Sequence, residues 1–213
     1  MNDANAQIDA VQRRLGSRTL AAGEARVMTI SQTYDSTPED VWDACTTQER
    51  LTRWFGPVSG ELRLHGRYQM EGNISGTVER CDPPKSFAAT WEFGGEVSWI
   101  EVRLDPTDDG RTRLHLEHVA HVNDEFWLQY GPGAVGVGWD VALFGLACEL
   151  AGTGRDVPLE QDPEWAGSSA HREFVTASSQ RWREASVAAG TDPEQARTAA
   201  DRTTDFYTAP PQG

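Results

Sequence analysis

The chain of 213 residues has little positive charge and almost no lysine. It carries 19 lysine and arginine residues against 33 aspartate and glutamate residues, for a formal net charge of −14, and Lys85 is its single lysine. Proteins that bind nucleic acids draw much of their affinity from cations that neutralise phosphates, so this balance argues against a nucleic-acid partner. Arginine in place of lysine is typical of GC-rich bacterial genomes.

Cysteine and long apolar runs are also scarce. Cys45, Cys81 and Cys148 lie far apart without a C-x-x-C pair, which predicts neither a disulfide framework nor a zinc knuckle. The N-terminal segment lacks an apolar signal core. The longest mostly apolar run, residues 134–148, is interrupted by Asp140 and is shorter than the roughly 20 residues of a membrane span. We therefore expect a soluble, cytoplasmic protein with no membrane partner.

Glycines in the stretch GPGAVGVGWD match G-x-G-x-x-G through Gly131, Gly133 and Gly136. This pattern indicates dinucleotide binding only inside a strand–helix–strand unit that begins with a buried strand. No strand-like run leads into Gly131 and no buried strand follows the helix. Gly136 and Gly138 are instead predicted to bring the start of the helix close to the sheet, or to leave space for a bound molecule.

The central part of the chain has the pattern of an α+β domain. A run of β-forming residues at 26–36 precedes two short helices, the first capped by Thr37. Six short β-like runs between residues 58 and 122 are separated by turn residues, as in an antiparallel meander. Residues 134–150 then predict a helix that is apolar on nearly all sides and therefore covered on both. We expect a curved sheet that wraps this long helix.

The two ends of the chain are predicted to be helical additions. Ile8, Val11 and Leu15 follow helical spacing, which predicts an amphipathic helix over residues 4–15. Residues 174–207 predict a helical hairpin, broken at Gly190. We therefore divide the chain into an N-terminal helical arm (1–24), a main domain (25–152) and a linker with a C-terminal helical extension (153–213). The hairpin is expected to cover the outer apolar side of the long helix, within one chain or across a homodimer.

Several short motifs, in order along the chain, resemble those of the SRPBCC superfamily. They are TPEDVWDA (37–44), RWFGP (53–57), GRY (66–68), DPP (82–84), TWEF (90–93) and TRLHLEH (112–118). Within the superfamily, the sequence is most similar to the branch homologous to the C-terminal domain of the activator of the ninety-kilodalton heat-shock protein ATPase. The resemblance implies the helix-grip (START-like) fold. It also implies a deep apolar cavity between sheet and long helix, commonly used for small hydrophobic molecules.

The resemblance leaves the activity open. The superfamily includes lipid carriers, hormone receptors, polyketide cyclases and oxygenase domains, so the fold alone does not fix a function. We predict binding of a small hydrophobic or aromatic molecule without a cofactor, rather than catalysis. One alternative is a cyclase or dehydratase acting on a polyketide-like substrate. Another is a co-chaperone-like interaction module, although residues 1–24 are too short to supply the separate N-terminal domain with which the eukaryotic activator engages its chaperone.

Aromatic residues dominate the predicted ligand site. The chain has 8 tryptophans, and together with other aromatics they indicate an apolar pocket with a few polar groups. Trp99 is a weaker candidate, because side-chain alternation places it opposite Ile100. The predicted ligand-binding residues are Trp54, Phe55, Tyr68, Trp91, Phe93, His118, Trp127, Tyr130, Trp139 and Leu143.

Three histidines, His115, His118 and His121, match H-x-x-H-x-x-H on the last predicted strand. An offset of three places neighbours on opposite faces of a strand, so the three cannot converge on one ion, and no metal site is predicted. His118 shares a face with Leu114 and Leu116, toward the predicted cavity. It is either a core histidine with its hydrogen bonds satisfied or a polar anchor and proton-transfer group, which makes it the candidate catalytic residue.

Two acidic residues stand where apolar ones would be expected. Glu79 falls at a strand position predicted to point inward, and Asp140 interrupts the long helix. Either carboxyl would titrate anomalously if it were buried, and the alternative is that both face solvent. No Ser-His-Asp set and no pair of carboxylates at catalytic spacing can be identified in the sequence.

Overall fold

The computed structural model describes residues 4–154 and 157–209, and an antiparallel sheet of 8 strands forms its body. The strand order across the sheet is β1-β2-β8-β7-β6-β5-β4-β3. The strands are β1 (Gln12–Leu20), β2 (Gly23–Tyr34), β3 (Val58–Gly60), β4 (Arg67–Met70), β5 (Ile74–Asp82), β6 (Ser86–Phe93), β7 (Glu96–Pro106) and β8 (Thr112–Ala120). The predicted meander is confirmed, and β2 crosses over to pair with β8.

Eight helices and one 3-10 turn complete the described part of the chain. The 3-10 turn is Leu159–Gln161. The helices are α1 (Ala4–Ala10), α2 (Pro38–Thr46), α3 (Gln48–Trp54), α4 (Asp124–Tyr130), α5 (Gly133–Leu150), α6 (Pro163–Ala166), α7 (Ser169–Ala188) and α8 (Pro193–Thr208). The predicted α+β helix-grip arrangement with a C-terminal helical hairpin is confirmed.

Local chemistry explains where the helices begin. The backbone N–H of Asp40 donates to the Thr37 hydroxyl at 3.3 Å, so Thr37 caps α2 as predicted. Asn123 caps α4 by accepting from two backbone N–H groups of its first turn. At the start of α8, the carboxylate of Asp192 accepts from the backbone N–H groups of Glu194 and Gln195.

The predicted helix over residues 4–15 is wrong in its second half. The helix ends at Ala10, and residues 12–20 form β1, which pairs with β2 from Gln12↔Ser31 to Leu20↔Gly23. The spacing of Val11 and Leu15 fits a helix, but an offset of four is also even and therefore keeps two residues on one face of a strand. Pairing with β2 decides between the two.

The main core lies between the sheet and α5. From the strands it takes Ile30, Leu114 and Leu116, and from α5 it takes Leu143 and Leu146, all at most 4% exposed. By length and composition α5 could cross a membrane, but most of it is buried inside the protein, as in the core helix of a soluble protein. The helix is covered on both sides, as its apolar pattern predicted.

The C-terminal hairpin of α7 and α8 packs on the other side of α5 within the same chain. Phe144 of α5 stacks on Phe174 of α7, with ring centroids 5.5 Å apart, and Phe174 is fully buried. A Cβ atom at Gly136 would lie 2.2 Å from the Trp182 indole. The close approach at Gly136 is therefore to α7 and not to the sheet, which corrects the role predicted for this glycine.

Candidate functional site

An inner chamber of about 100 Å³ lies between the sheet and the two short helices α2 and α3. Its polar atoms are few. The Tyr68 hydroxyl donates to the carbonyl of Thr90 at 2.6 Å, and burial raises the pKa of Tyr68 to about 12. The lining residues are Cys45, Thr46, Leu51, Phe55, Val58, Leu62, Tyr68, Met70, Val78, Cys81, Phe87, Ala89, Trp91 and Ile100.

A larger outer chamber of about 360 Å³ opens between the sheet, the first half of α5 and the C-terminal extension. Its lining combines aromatic residues of the main domain with two residues of the C-terminal extension. The lining residues are Phe55, Met70, Ile74, Trp91, Phe93, His118, Ala134, Val135, Gly138, Trp139, Ala142, Glu160 and Tyr207.

Three aromatic rings form the partition between the two chambers. Phe55 and Trp139 are nearly parallel, with centroids 6.0 Å apart and an interplanar angle of 13°. Trp91 packs against both, at 6.1 Å from Phe55 and 5.6 Å from Trp139. Phe55 follows α3, Trp91 lies on β6 and Trp139 lies on α5, so the partition connects three separate elements of the fold.

His118 lies at the edge of the outer chamber with both ring nitrogens engaged. The indole N–H of Trp139 donates to its Nδ1 at 3.0 Å, and its Nε2 lies 2.8 Å from the Ser98 hydroxyl. That hydroxyl donates to the carbonyl of Trp91 at 3.2 Å. The Ser98 oxygen therefore accepts a hydrogen bond from Nε2–H, which fixes the neutral tautomer of His118 with its proton on Nε2. The geometry is that of a core histidine with satisfied hydrogen bonds.

The titration of His118 follows from this environment. Burial lowers the pKa of His118 from 6.5 to about 4, because the imidazolium would lose its hydration. A proton on Nδ1 would also break the hydrogen bond from Trp139. His118 therefore serves as a proton-transfer group only if one of its two hydrogen bonds opens.

The C-terminal extension contributes Glu160 and Tyr207, which the sequence analysis missed. Glu160 lies on the 3-10 turn and Tyr207 near the end of α8, where the Tyr207 hydroxyl donates to the carbonyl of Ala134 at 2.9 Å. Glu160 is exposed at the mouth, yet the protein around it raises the pKa of its carboxyl through desolvation. Neither residue gave a local signal, because only tertiary packing brings the extension to the chamber.

Six of the predicted ligand-binding residues line at least one of the two chambers. Phe93, which is 58% exposed, stands at the outer mouth. The six are Phe55, Tyr68, Trp91, Phe93, His118 and Trp139. The three rings of the partition lie up to 84 residues apart in sequence (139 − 55). The fold brings them into contact.

The other four predicted residues do not line either chamber. Trp54 is buried and its indole N–H donates to the carbonyl of Ala44 at 2.9 Å, while Leu143 is enclosed in the main core. Tyr130 packs between Phe126 of α4 and Phe206 of α8. Short-range alternation cannot separate such core contacts from chamber contacts.

Trp127, the fourth, lies in a side groove next to the outer chamber. This groove of about 70 Å³ contains Arg26, His118 and Val135, and the Arg26 guanidinium lies 4.3 Å from the centroid of the Trp127 ring. Trp99 packs with Val119 on the opposite face of the sheet, as alternation indicated.

Asp140 is fully buried, and Glu79 is exposed. Asp140 accepts two hydrogen bonds from the Arg13 guanidinium, at 2.8 and 3.0 Å, and one each from Ser178 and Trp182. Burial raises the pKa of Asp140, and these donors oppose that shift. Asp140 therefore links β1, α5 and α7 and faces away from the chambers' lining, so it is structural in this geometry.

Groups of acidic, histidine and cysteine side chains that could hold a metal ion do not occur among residues 4–154 and 157–209. His118 lies on the inner face of β8, whereas His121 packs edge-on against Trp99 on the outer face. His115 pairs with Asp105 at 3.3 Å. The three histidines have separate surroundings, as strand geometry requires.

Comparison with known proteins identifies the family. Residues 35–151, more than half of the chain, match the family described as Activator of Hsp90 ATPase homolog 1-like protein. The chain belongs to this family. The predicted SRPBCC resemblance is thereby confirmed. No curated protein matches the chain.

Solved structures extend the similarity of this AHSA1-like chain beyond the family domain. The crystal structure of CalU16 from Micromonospora echinospora is 34% identical, with 83% of this chain and 98% of that chain covered and a TM-score of 0.63. The solution structure of CalU16 gives 36% identity, coverage of 85% and 97%, and a TM-score of 0.66. Protein MLL2253 from Mesorhizobium loti, at 20% identity, covers 60% of this chain and 98% of its own with a TM-score of 0.53, and shows the fold alone.

Proposed function

We propose that this AHSA1-like protein binds a small hydrophobic or aromatic molecule between its sheet and α5. The observation that carries the proposal is the outer chamber, an aromatic-lined opening of about 360 Å³. Ligand sites are typically apolar clefts of about 300–1,000 Å³ with a few polar groups. SRPBCC-type folds often bind hydrophobic ligands, which supports the same function.

The partition allows a longer ligand to reach the inner chamber. Phe55, Met70 and Trp91 line both chambers, so a rotation of the Phe55 or Trp91 ring would connect the two volumes. Side-chain rotations of this kind are common when ligands bind. We propose that the outer chamber receives the ligand and that the inner chamber, whose lining is almost wholly apolar, holds an apolar end of it.

The geometry of His118 favours binding over a cyclase or dehydratase reaction. A general base needs a free nitrogen within hydrogen-bond reach of its substrate, and both nitrogens of His118 already have partners. Among the described lining residues, Glu160 is the one carboxyl group in the outer chamber. It lies at the mouth, where water is accessible.

Native mass spectrometry of freshly purified protein tests the proposal first. We expect a retained small molecule, or an apo protein that takes up the neutral dye N-phenyl-1-naphthylamine with increased dye emission. A folded protein that retains no small molecule and binds no dye would refute the proposal, and a copurified protein partner in place of a ligand would support the interaction-module alternative.

Trp91→Ala and Trp99→Ala form a matched pair for locating the site. Trp91 lines both chambers and Trp99 packs on the opposite face of the sheet. Loss of one aromatic wall should weaken dye binding about five- to tenfold in Trp91→Ala, and Trp99→Ala should bind as the unchanged protein does. Equal weakening in both variants would place the dye outside the chambers.

A further inference from the structure

As formed by residues 4–154 and 157–209, the outer chamber contains a carboxylate without a partner in an otherwise uncharged, largely aromatic lining. Of the lining residues that the structure describes, only Glu160 has a formal charge near neutral pH, because His118 is held neutral. Among the described residues, the Glu160 carboxylate has no hydrogen bond and no ion pair. Within the part of the chain that the structure describes, a ligand that enters the chamber therefore meets one negative charge and no cation that balances it.

Tyr207 does not serve as that internal partner. Its hydroxyl donates to the carbonyl of Ala134, so the proton is already used. Burial and the neighbouring Glu160 charge raise the pKa of Tyr207 to about 12, which keeps the phenol neutral.

Tyr207 and Glu160 both lie next to α5 at Gly138. A Cβ atom at Gly138 would lie 3.4 Å from the Tyr207 hydroxyl oxygen and 3.6 Å from the Oε1 atom of Glu160. The Glu160 carboxylate therefore lies beside the helix at the chamber mouth.

The 3-10 turn that carries Glu160 is tied to both sides of the mouth. Leu159 is buried beside Phe144 and Trp165 on the outer side of α5. On the sheet side, the amide of Gln161 donates to the carboxylate of Glu71 at 3.4 Å. Glu160 is therefore held between two anchored neighbours.

Aromatic rings and a carboxylate together favour a cationic ligand. A cation gains energy over the face of a tryptophan, tyrosine or phenylalanine ring, most strongly over tryptophan. The chamber supplies Trp91, Trp139, Phe55, Phe93 and Tyr207. A carboxylate that has lost part of its hydration gains most from a cation that reaches it, and the net charge of −14 attracts cations from a distance.

We propose that the outer chamber selects molecules that carry a protonated amine on an aromatic or apolar body, with Glu160 as the counter-ion. This inference rests on the proposed function and narrows it to a class of ligand. The apolar body would lie against the aromatic partition, and the ammonium group would remain at the mouth, where it keeps part of its hydration. An anionic ligand of the same shape would be disfavoured by the same carboxylate.

Three naphthyl probes of similar size and different charge test this preference for a protonated amine. They are 1-naphthylmethylamine, which is protonated near neutral pH, the neutral 1-naphthylmethanol and the anionic 1-naphthoate. We expect the amine to bind at least about fivefold more tightly than the alcohol, and the anion to bind most weakly, as measured by titration calorimetry. Glu160→Gln should reduce amine binding to the level of the alcohol and leave alcohol binding unchanged.

Glu164→Gln is the matched control, because Glu164 is exposed on α6 outside the chamber and its replacement changes the net charge by the same amount. It should keep the amine preference. Alcohol binding without an amine preference, or a preference that survives Glu160→Gln or is lost equally in Glu164→Gln, would overturn the inference and leave the proposed function standing. If no probe bound, this inference would fail, and the proposed function would fail with it if the protein also retained no small molecule and took up no dye.

Discussion

Replacing Asp140 by alanine would remove the acceptor of four hydrogen bonds in the interior. The Arg13 side chain is only 4% exposed and Asp140 is fully buried, so the guanidinium would keep its charge without a counter-ion. Ser178 and Trp182 would lose their acceptor as well. Breaking a buried ion pair on one side costs about 3–5 kcal/mol, and in a chain of this size about 4 kcal/mol lowers Tm by roughly 10 °C.

A double-mutant cycle in urea isolates the contribution of the pair. Arg13→Met and Asp140→Ala should each be strongly destabilising, and the double variant should lose at least about 2 kcal/mol less than their sum, because neither charge is then left alone. Glu194→Ala, which breaks an exposed pair with Arg197, is the control and should leave the midpoint almost unchanged. If Asp140→Ala shifted the midpoint no more than this control, the network would not stabilise the fold as argued.

The other predictions concern His118 and the C-terminal extension. Because the pKa of His118 falls from 6.5 to about 4 on folding, the folded state binds fewer protons, and about 3 kcal/mol of stability is lost as the pH falls from 6.5 to 4. Unfolding curves across that range should show a smaller loss in His118→Gln, and equal losses in both proteins would contradict the assigned pKa. Deleting residues 160–213 should lower Tm markedly and cause self-association visible by light scattering, since Val141 and Phe144 become exposed. A truncated chain that remains monomeric and equally stable would refute the packing argument.

Patterns that repeat over many residues allowed most of the fold to be predicted. The long helix α5, the hairpin of α7 and α8, and the strands from β4 to β8 each carry enough apolar or β-forming residues to specify their type locally. β1 was mistaken for a helix, because the spacing of Val11 and Leu15 fits both periods and the deciding contacts with β2 are not local. The short helix α4 could not be predicted in this way, because its 7 residues are too few for an apolar side to show a helical period.

The candidate site could be predicted only in part, because several of its contacts join residues that are distant in sequence. The aromatic character of the cavity followed from composition, and His118 was placed on the inner face by alternation along its strand. Glu160 and Tyr207 could not be found, since they belong to segments whose position depends on how the extension packs. The burial of Asp140 depends on Arg13, 127 residues earlier, and on Ser178, 38 residues later, and no local pattern reports such distant partners.

The hydrogen bonds of Asp140 also bear on when the fold can be completed while the chain is being synthesised. The helix-grip elements have all been translated by Leu150, but the Trp182 partner of Asp140 lies 42 residues further along the chain than Asp140 itself. Until that segment leaves the ribosome, a nascent chain has α5 with one side uncovered and an Asp140 carboxylate that lacks its Ser178 and Trp182 donors. Domains usually fold as units in the order of their synthesis. We therefore expect the final docking of α5 to wait for α7, which would make the segment after the family domain part of the same folding unit.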